Sequence, residues 1–425
     1  MLHDPPASAQ PAAATGPAAL NEPTARVKPL WVAAVVLVNV GINAAFFGPI
    51  QVLLGNQAIA FDEGRKEAIL ALVTSCGAVI SLFANPLFGA FSDRTTSRFG
   101  RRVPWVVIGA AIGASALLGL SIAPSVAMMA LLWCFVQLGC NGMLAAITAA
   151  IPDRVPLRNR GGVGGLVAMG TVIGILCGAA IGAIVGENFA LGYVLCAAAL
   201  VAGLLLYLFR SDDVPLSRDD REPFSWAGFL SGFWISPRRY PDFGWAWLTR
   251  FLVQLGVQLC IVYLLFFLRD RIGYPAPELG VLILTGLFSL LTLMTAAIGG
   301  FWADRVGRVK PFVIASSGMI AAAALTLGFA PTWPGALIGA ALLGIGQGVY
   351  LAVDLVLLTQ VLPAAAHRGK DLGVINVANS LPQVLSGVLA AFFVVVIGSY
   401  VVLYAVAGII VALGAVFVLK IKGVR

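Results

Sequence analysis

Residues 89–105 read GAFSDRTTSRFGRRVPW, and residues 300–312 read GFWADRVGRVKPF. Gly89, Asp93 and Arg94 of the first stretch recur as Gly300, Asp304 and Arg305 of the second. Each stretch is a short basic connection between two long apolar runs, in corresponding places of the two halves of the chain. A duplicated membrane domain is the natural reading. Many secondary transporters are built this way, because rocking one half against the other exposes a midplane site to alternate sides.

The composition belongs in lipid. Hydrophobic residues make up 60% of the 425, charged residues only 11%, and the mean hydropathy is +0.96, whereas a soluble domain has roughly a quarter of its residues charged. A helix needs about 20 mostly apolar residues to cross the hydrocarbon. Residues 29–61, 68–92, 161–186, 188–209 and 279–303 each hold one such span, and 243–268 holds another interrupted by Arg250. Intervals 103–152, 311–362 and 372–419 each hold two, turning near Ala123-Pro124, Pro331 to Pro334 and Gly398-Ser399. The expected fold is an all-α integral membrane protein with twelve transmembrane helices in two pseudo-symmetric six-helix halves, 29–209 and 243–420.

Lysine and arginine are retained on the cytoplasmic side of a membrane. Counting connections alternately from the N-terminus, one side holds all but five of the 27 basic residues, the exceptions being Arg65, Lys66, Arg269, Arg271 and the intramembrane Arg250. Both termini are therefore expected inside, in a bacterial inner (cytoplasmic) membrane. The net charge of +8 reflects this bias and is no argument for nucleic acid; the basic clusters face anionic lipid. Residues 1–28, rich in Ala and Pro, read as a disordered cytoplasmic tail with no cleavable signal, and 421–425 as a second short tail. The central loop, 210–242, carries Phe224, Trp226, Phe229, Leu230, Phe233 and Trp234 ahead of Arg238 and Arg239, the pattern of a short helix in the inner interface. All six cysteines fall within spans, without metal-ligand spacing.

The repeated loop has its own logic. Glycine at 89 and 300 would let a neighbouring helix approach closely, while the acid four residues on can sit against the positive N-terminus of that neighbour. The arginines can pair with the acid in one state and meet lipid phosphate in another. Gly89, Asp93, Arg94, Arg98, Gly100, Arg101 and Arg102, with Gly300, Asp304, Arg305, Gly307 and Arg308, are thus candidates for a conformational latch.

This pattern resembles the signature of the major facilitator superfamily, over roughly residues 29–420. The longer first copy, SDRTTSRFGRRVPW, is similar to the loop of the sucrose and glycoside–cation symporters, the glycoside-pentoside-hexuronide-like branch, as is Asn141 followed by Asp153. The resemblance implies the major facilitator fold, a monomeric carrier, and a sugar or glycoside moved with a proton. It departs from the plant sucrose carriers, which have a histidine in the first span; here the histidines are His3 and His367. Thr148 stands where those carriers have arginine, and the acids of the sodium-coupled relatives are missing.

The superfamily lines its central path with spans 1, 4, 7 and 10. Asn39, Asn43, Gln137, Asn141, Thr148, Gln254, Gln258, Gln347 and Tyr350, with Asn376 and Asn379 in span 11, are accordingly candidates for binding solute. Neutral amides suit hydroxyl-rich, uncharged ligands; Gln51, Asn56, Gln57 and Gln383 add to the intramembrane amides. Asp354 is the only acid inside a span and Arg250 lies at a comparable depth, so the two are expected to pair, with Asp354 as the proton-coupling candidate. An alternative is open. Gly161, Gly170, Gly174 and Gly178 approach the glycine pattern of superfamily proton antiporters, which export drugs or metabolites, although Ile175 replaces its proline; a glycine face for tight packing explains the same spacing. Nothing in the sequence suggests an enzyme, a cofactor or a metal site.

Overall fold

The computed structural model describes residues 23–24, 27–210, 213, 215–217, 225–226, 229, 238–306, 308–361 and 368–422, with backbone alone at 157, 303–304, 355–356, 358–361, 368–376 and 379. The described residues form twelve helical rods. In chain order these are α1 (Pro29–Phe61), α2 (Glu63–Asp93), α3 (Val103–Leu120), α4 (Val126–Arg154), α5 (Arg160–Val185) and α6 (Phe189–Arg210). The second half comprises α7 (Pro241–Ile272), α8 (Pro277–Val306), α9 (Lys310–Phe329), α10 (Trp333–Val361), α11 (Arg368–Ala391, prolonged by Phe392–Val396) and α12 (Tyr400–Val418). Eleven are long and apolar enough to cross a membrane over their described residues, and the apolar end of α11, Ser380–Val396, is shorter. The protein is an all-α, multi-pass integral membrane protein.

Local chemistry explains where the rods begin. Proline, whose missing N–H costs nothing in a first turn, stands at the start of α1, α3, α7 and α9. Ser125 and Ser399 cap α4 and α12, accepting from the N–H of Met128 and Val402 at 3.3 Å each. Inside lipid the helices need no polar face, and their lipid-facing residues stay apolar: Leu131, Leu205, Ile298 and Ile409 are exposed. Three rods contain a wider π-helical turn, at Pro49–Leu53 in α1, Phe267–Ile272 in α7 and Phe392–Val396 in α11.

Packing repeats between halves with a shift of six helices. In the first half α1 packs on α5 and α6, α2 on α4, and α3 on α4 and α6; in the second α7 packs on α11 and α12, α8 on α10, and α9 on α10 and α12. Across the interface α2 meets α11 and α5 meets α8, two pairs that a pseudo-two-fold exchanges. The duplication read from two short loops therefore extends through the whole bundle.

The α5 glycines serve this packing. A Cβ at Gly170 would stand 2.9 Å from the Val36 carbonyl oxygen, and one at Gly174 would stand 2.6 Å from that of Val40, so α1 and α5 touch backbone to backbone. Gly161 lies in open space. Of the expected interfacial helix, Trp226 and Phe229 make an edge-to-face contact at 6.2 Å; Phe224, Leu230, Phe233 and Trp234 lie outside the described residues, as do most of the N-terminal tail, His3 and His367.

Candidate solute cavity, ion-pair ladder and loop cluster

A two-lobed cavity lies between the halves. The first lobe, about 240 Å³, is bounded by α1, α2, α4, α7 and α11 and lined with amides and hydroxyls: Asn43, Gln51, Thr74, Ser81, Gln137, Asn141, Gln258, Ser380, Gln383 and Ser386. The second, about 210 Å³, reaches into the C-terminal half and is mainly aliphatic and aromatic, with Leu264, Leu284, Phe288, Leu327, Ala340 and Leu343 in its wall. Phe47, Gln51, Gln258 and Ile261 line both lobes and form the waist between them. Among the described residues, no charged side chain lines either lobe.

The π-helical turn of α1 sets the waist. Gln51 sits in it, and its side-chain oxygen is buried without a hydrogen-bond partner. An unpaired buried amide oxygen is costly, and π-turns often mark functional positions because they displace a side chain from the regular helical face. In the polar lobe Asn141 donates to the backbone carbonyl and the side-chain oxygen of Gln137, both at 2.9 Å. Asn43 donates to the Asn39 carbonyl at 2.8 Å.

Six of the sequence candidates meet at the cavity: Asn43, Gln137, Asn141, Gln254, Gln258 and Gln347. Asn39 does not. Its amide donates to the Val35 carbonyl at 3.0 Å within its own helix and lines neither lobe. Thr148 is exposed and also lines neither. The side chains of Asn376 and Asn379 lie outside the described residues. Sequence reading missed Thr74, Ser81, Thr285, Ser380 and Ser386. A signal existed, since Ser380, Gln383 and Ser386 recur every third residue on one face of α11, but small hydroxyls also bond to their own helix, as Thr74 does to Leu70 at 2.7 Å.

Below the apolar lobe a polar ladder joins α7 to α10. Arg250, Gln254 and Gln258 recur every four residues on α7; Gln347, Tyr350 and Asp354 share a face of α10. Gln347 donates to Gln254 across the gap at 3.4 Å. Further along, the Arg250 guanidinium bonds to one carboxylate oxygen of Asp354, and the Tyr350 hydroxyl donates to the other at 2.8 Å. Asp354 is 2% exposed, so a full charge is held there only by these partners. Tyr350 is thus a partner of Asp354 and lines neither lobe.

The first copy of the repeated loop forms a cluster around Arg102. Its guanidinium meets Asp93 at 2.6 Å, Asp153 at 2.8 Å and the Ser92 hydroxyl at 2.6 Å, while Arg101 bonds to the other oxygen of Asp153 at 2.6 Å. The acid at the N-terminus of the next helix is not Asp93. Asp213 takes that place, accepting from the N–H groups of Arg102 and Val103 at 2.6 and 3.1 Å. It sits against Gly100, whose φ of +90° admits the turn. Burial raises the Asp213 carboxyl above the ordinary aspartate range, with the two N–H groups and Arg102 opposing. Arg102 is raised as well: burial works against its charge, but Asp153 and Asp93 outweigh it.

Other latch candidates are local. Arg94 donates to the Ala90 carbonyl at 2.8 Å, and Arg98 lies over Phe99. In the second copy Arg305 lies over Phe301 at 4.6 Å and Arg308 is exposed; the Asp304 side chain and Gly307 lie outside the described residues. The close helix approach expected at the two leading glycines is absent here. A Cβ at Gly89 would meet nothing within 4 Å, and one at Gly300 only the Ala352 methyl at 3.9 Å.

At the end of the bundle away from the termini, polar contacts tie the halves together. Lys66 of α2 bonds to Asp270 of α7 at 2.7 Å, and the Tyr263 hydroxyl donates to the Glu67 carbonyl at 2.6 Å. Asn56 of α1 reaches Glu278 of α8 at 3.0 Å, and Arg269 approaches Glu63 at 3.5 Å.

The sequence model of the Major Facilitator Superfamily matches residues 33–285 and 276–424. The chain belongs to this superfamily. Among solved superfamily-like folds, the peptide transporter POT in complex with sulfate aligns with a TM-score of 0.76 over 95% of this chain and 96% of that one, at 13% identity, a likeness of fold alone. Among curated proteins, the multi-drug resistance efflux pump PmrA of Streptococcus pneumoniae is 25% identical over 271 residues, 62% of each chain; the chain thus matches only about three fifths of that pump's length. The proton-associated sugar transporter A of Homo sapiens is 46% identical over 64 residues, 15% of this chain and 8% of that protein. The superfamily comprises transporters, so the cavity is read as a site for a small solute.

Proposed function

We propose that the protein is a proton-coupled symporter for a neutral, hydroxyl-rich solute of the sugar or glycoside class, working as a monomer by alternating access. The observation that carries this reading is the polar lobe: among the described residues, ten amide and hydroxyl side chains converge there without one charge. Neutral donors and acceptors can match hydroxyls in either sense without imposing a charge, and Phe46 and Phe47 supply apolar faces for the C–H side of a sugar ring. The Arg250–Asp354 pair, one turn beyond Gln254 on the same face of α7, supplies an acid that can gain a proton when the arginine withdraws. With the basic connections cytoplasmic, as the lysine and arginine bias indicates, the contacts around Lys66 close the outer end of the path.

The sugar-transporter relative supports this reading over a short segment. A second reading, export of apolar drugs or metabolites by proton antiport, draws on the aliphatic lobe and on the resemblance to an efflux pump. Contact with α1 accounts for Gly170, Gly174 and Gly178, so these glycines add nothing to it. Proteoliposomes carrying only a pH gradient, alkaline inside, separate the two. Accumulation of a labelled sugar or glycoside is expected; extrusion of hydrophobic cations with no sugar flux would establish the second reading instead.

A further inference from the structure

The two lobes differ too much in chemistry to be one sugar-shaped site. Each alone is smaller than the roughly 300 Å³ at which small-molecule sites begin, so a ligand that fills the site spans both. What fits is a molecule with one hydroxyl-rich end and one apolar end. The waist between them presents two amides, Gln51 and Gln258, and the Gln51 side-chain oxygen has no partner among the protein groups. In the apolar lobe the two deeper amides share a single bond, Gln347 donating to Gln254 at 3.4 Å, and the Gln347 side-chain oxygen is, like that of Gln51, without a partner among the described residues.

We infer that the solute is an amphipathic glycoside bound in one orientation, its sugar against α1, α2, α4 and α11 and its apolar aglycone between α7, α8 and α10. This rests on the sugar reading of the polar lobe and adds a requirement to it. A free monosaccharide would leave the aliphatic and aromatic side chains that make up most of the second lobe's wall facing water. An apolar molecule without hydroxyls would strip water from the amides of the polar lobe and return nothing. The amphipathic ligand meets neither cost. Its orientation also follows: the aglycone lies toward the Arg250–Asp354 ladder, so the sugar is kept away from the charged pair and reads only neutral groups.

The test is a chain-length series on the full protein in lipid nanodiscs, free of glycoside detergents. Binding of methyl, ethyl, propyl and butyl β-glucosides is compared with glucose and with the matching n-alcohols by intrinsic fluorescence or calorimetry. Affinity is expected to rise about fourfold per methylene, as burial of each CH₂ implies, with the alcohols binding far more weakly. In Ala340→Phe, which fills the apolar lobe, the slope along the series is expected to flatten; Ala336→Phe reads the same effect from a second position. Glucose and all glucosides binding equally to the wild-type protein would overturn this inference while leaving the sugar reading intact. Alcohols binding as tightly as their glucosides would overturn both.

Discussion

Arg250 of α7 and Asp354 of α10 are joined inside the C-terminal half, with the Tyr350 hydroxyl holding the remaining carboxylate oxygen at 2.8 Å. Each member of this trio limits what the others can do. Ionised, Asp354 is held by both; protonated, it no longer needs the arginine, and the pair can part. Coupling by this route makes a separable prediction. Asp354→Asn should abolish accumulation driven by a pH gradient yet retain solute exchange across the membrane, since exchange moves no net proton. If that variant still concentrates solute on a pH gradient alone, the coupling site lies elsewhere.

The loop cluster predicts unequal consequences for its two acids. Asp153, with a side chain 18% exposed, serves two buried arginines, whereas Asp93 is 55% exposed and serves one. Asp153→Asn is expected to destabilise the protein by about 3 kcal/mol, because it strands buried charge, and Asp93→Asn by at most about 1 kcal/mol. Unfolding of the purified variants measures both. Equal losses would mean that burial does not govern this cluster.

A different dependence is expected at Asp213. Its carboxyl is raised in the folded protein, so the native state binds more protons than the unfolded one just above the ordinary aspartate value near 3.8. Stability attributable to this group therefore falls as pH rises through that window. Asp213→Asn keeps an acceptor for the two N–H groups without a buried charge and should melt no lower than wild type at pH 7, with any advantage shrinking as pH drops toward 4. Asp213→Ala loses the cap and should cost about 1 kcal/mol. An asparagine variant that melts below the alanine one would refute this account.

The contacts at the far end predict a population shift. In Asp270→Asn the buried Lys66, 8% exposed at its side chain, loses its partner in the closed arrangement only. The balance is expected to move on the order of tenfold toward opening at that end. Spin labels at Gly64 and Arg271, on opposite halves, should report longer distances. An unchanged distribution would show that these contacts follow closure without favouring it.

Orientation is the simplest to check. A cysteine placed at Ser97 should react with an impermeant thiol reagent only from the cytoplasmic side, and one at Gly64 only from outside. External labelling at Ser97 would reverse the assignment of the sealed end.

The bundle was legible because the spans are apolar runs bounded by charge or by an uncharged Pro or Gly turn, and the repeat because Gly-Asp-Arg recurs at matching loops. Arg250 and Asp354 were legible for the same reason, as charges in hydrocarbon find each other. The cavity was only partly so. Asn39 and Asn43 are one helical turn apart on the same face of α1 and each donates to the carbonyl four residues back, yet only Asn43 lines the cavity; how far along a rod the cavity reaches is set by its neighbours, which a single sequence does not display. Thr74 and Ser81 were passed over because a hydroxyl in a helix has a ready partner in the preceding turn. Asp213 was hidden by distance, since its partners at Arg102 and Val103 are brought to it by the fold alone.

Asp213, through the N–H groups of Arg102 and Val103, fastens the start of the central segment to the first half, and Asp242 accepts from the Lys422 N–H at 3.0 Å within the second. What lies between these anchorages is the sole covalent tie between two units that each carry their own fastening. The two halves are therefore severable: a chain cut after Ser217 leaves each fragment with the residues that dock its loose end. Such fragments, made separately in one membrane, would need only the α2–α11 and α5–α8 faces to find one another.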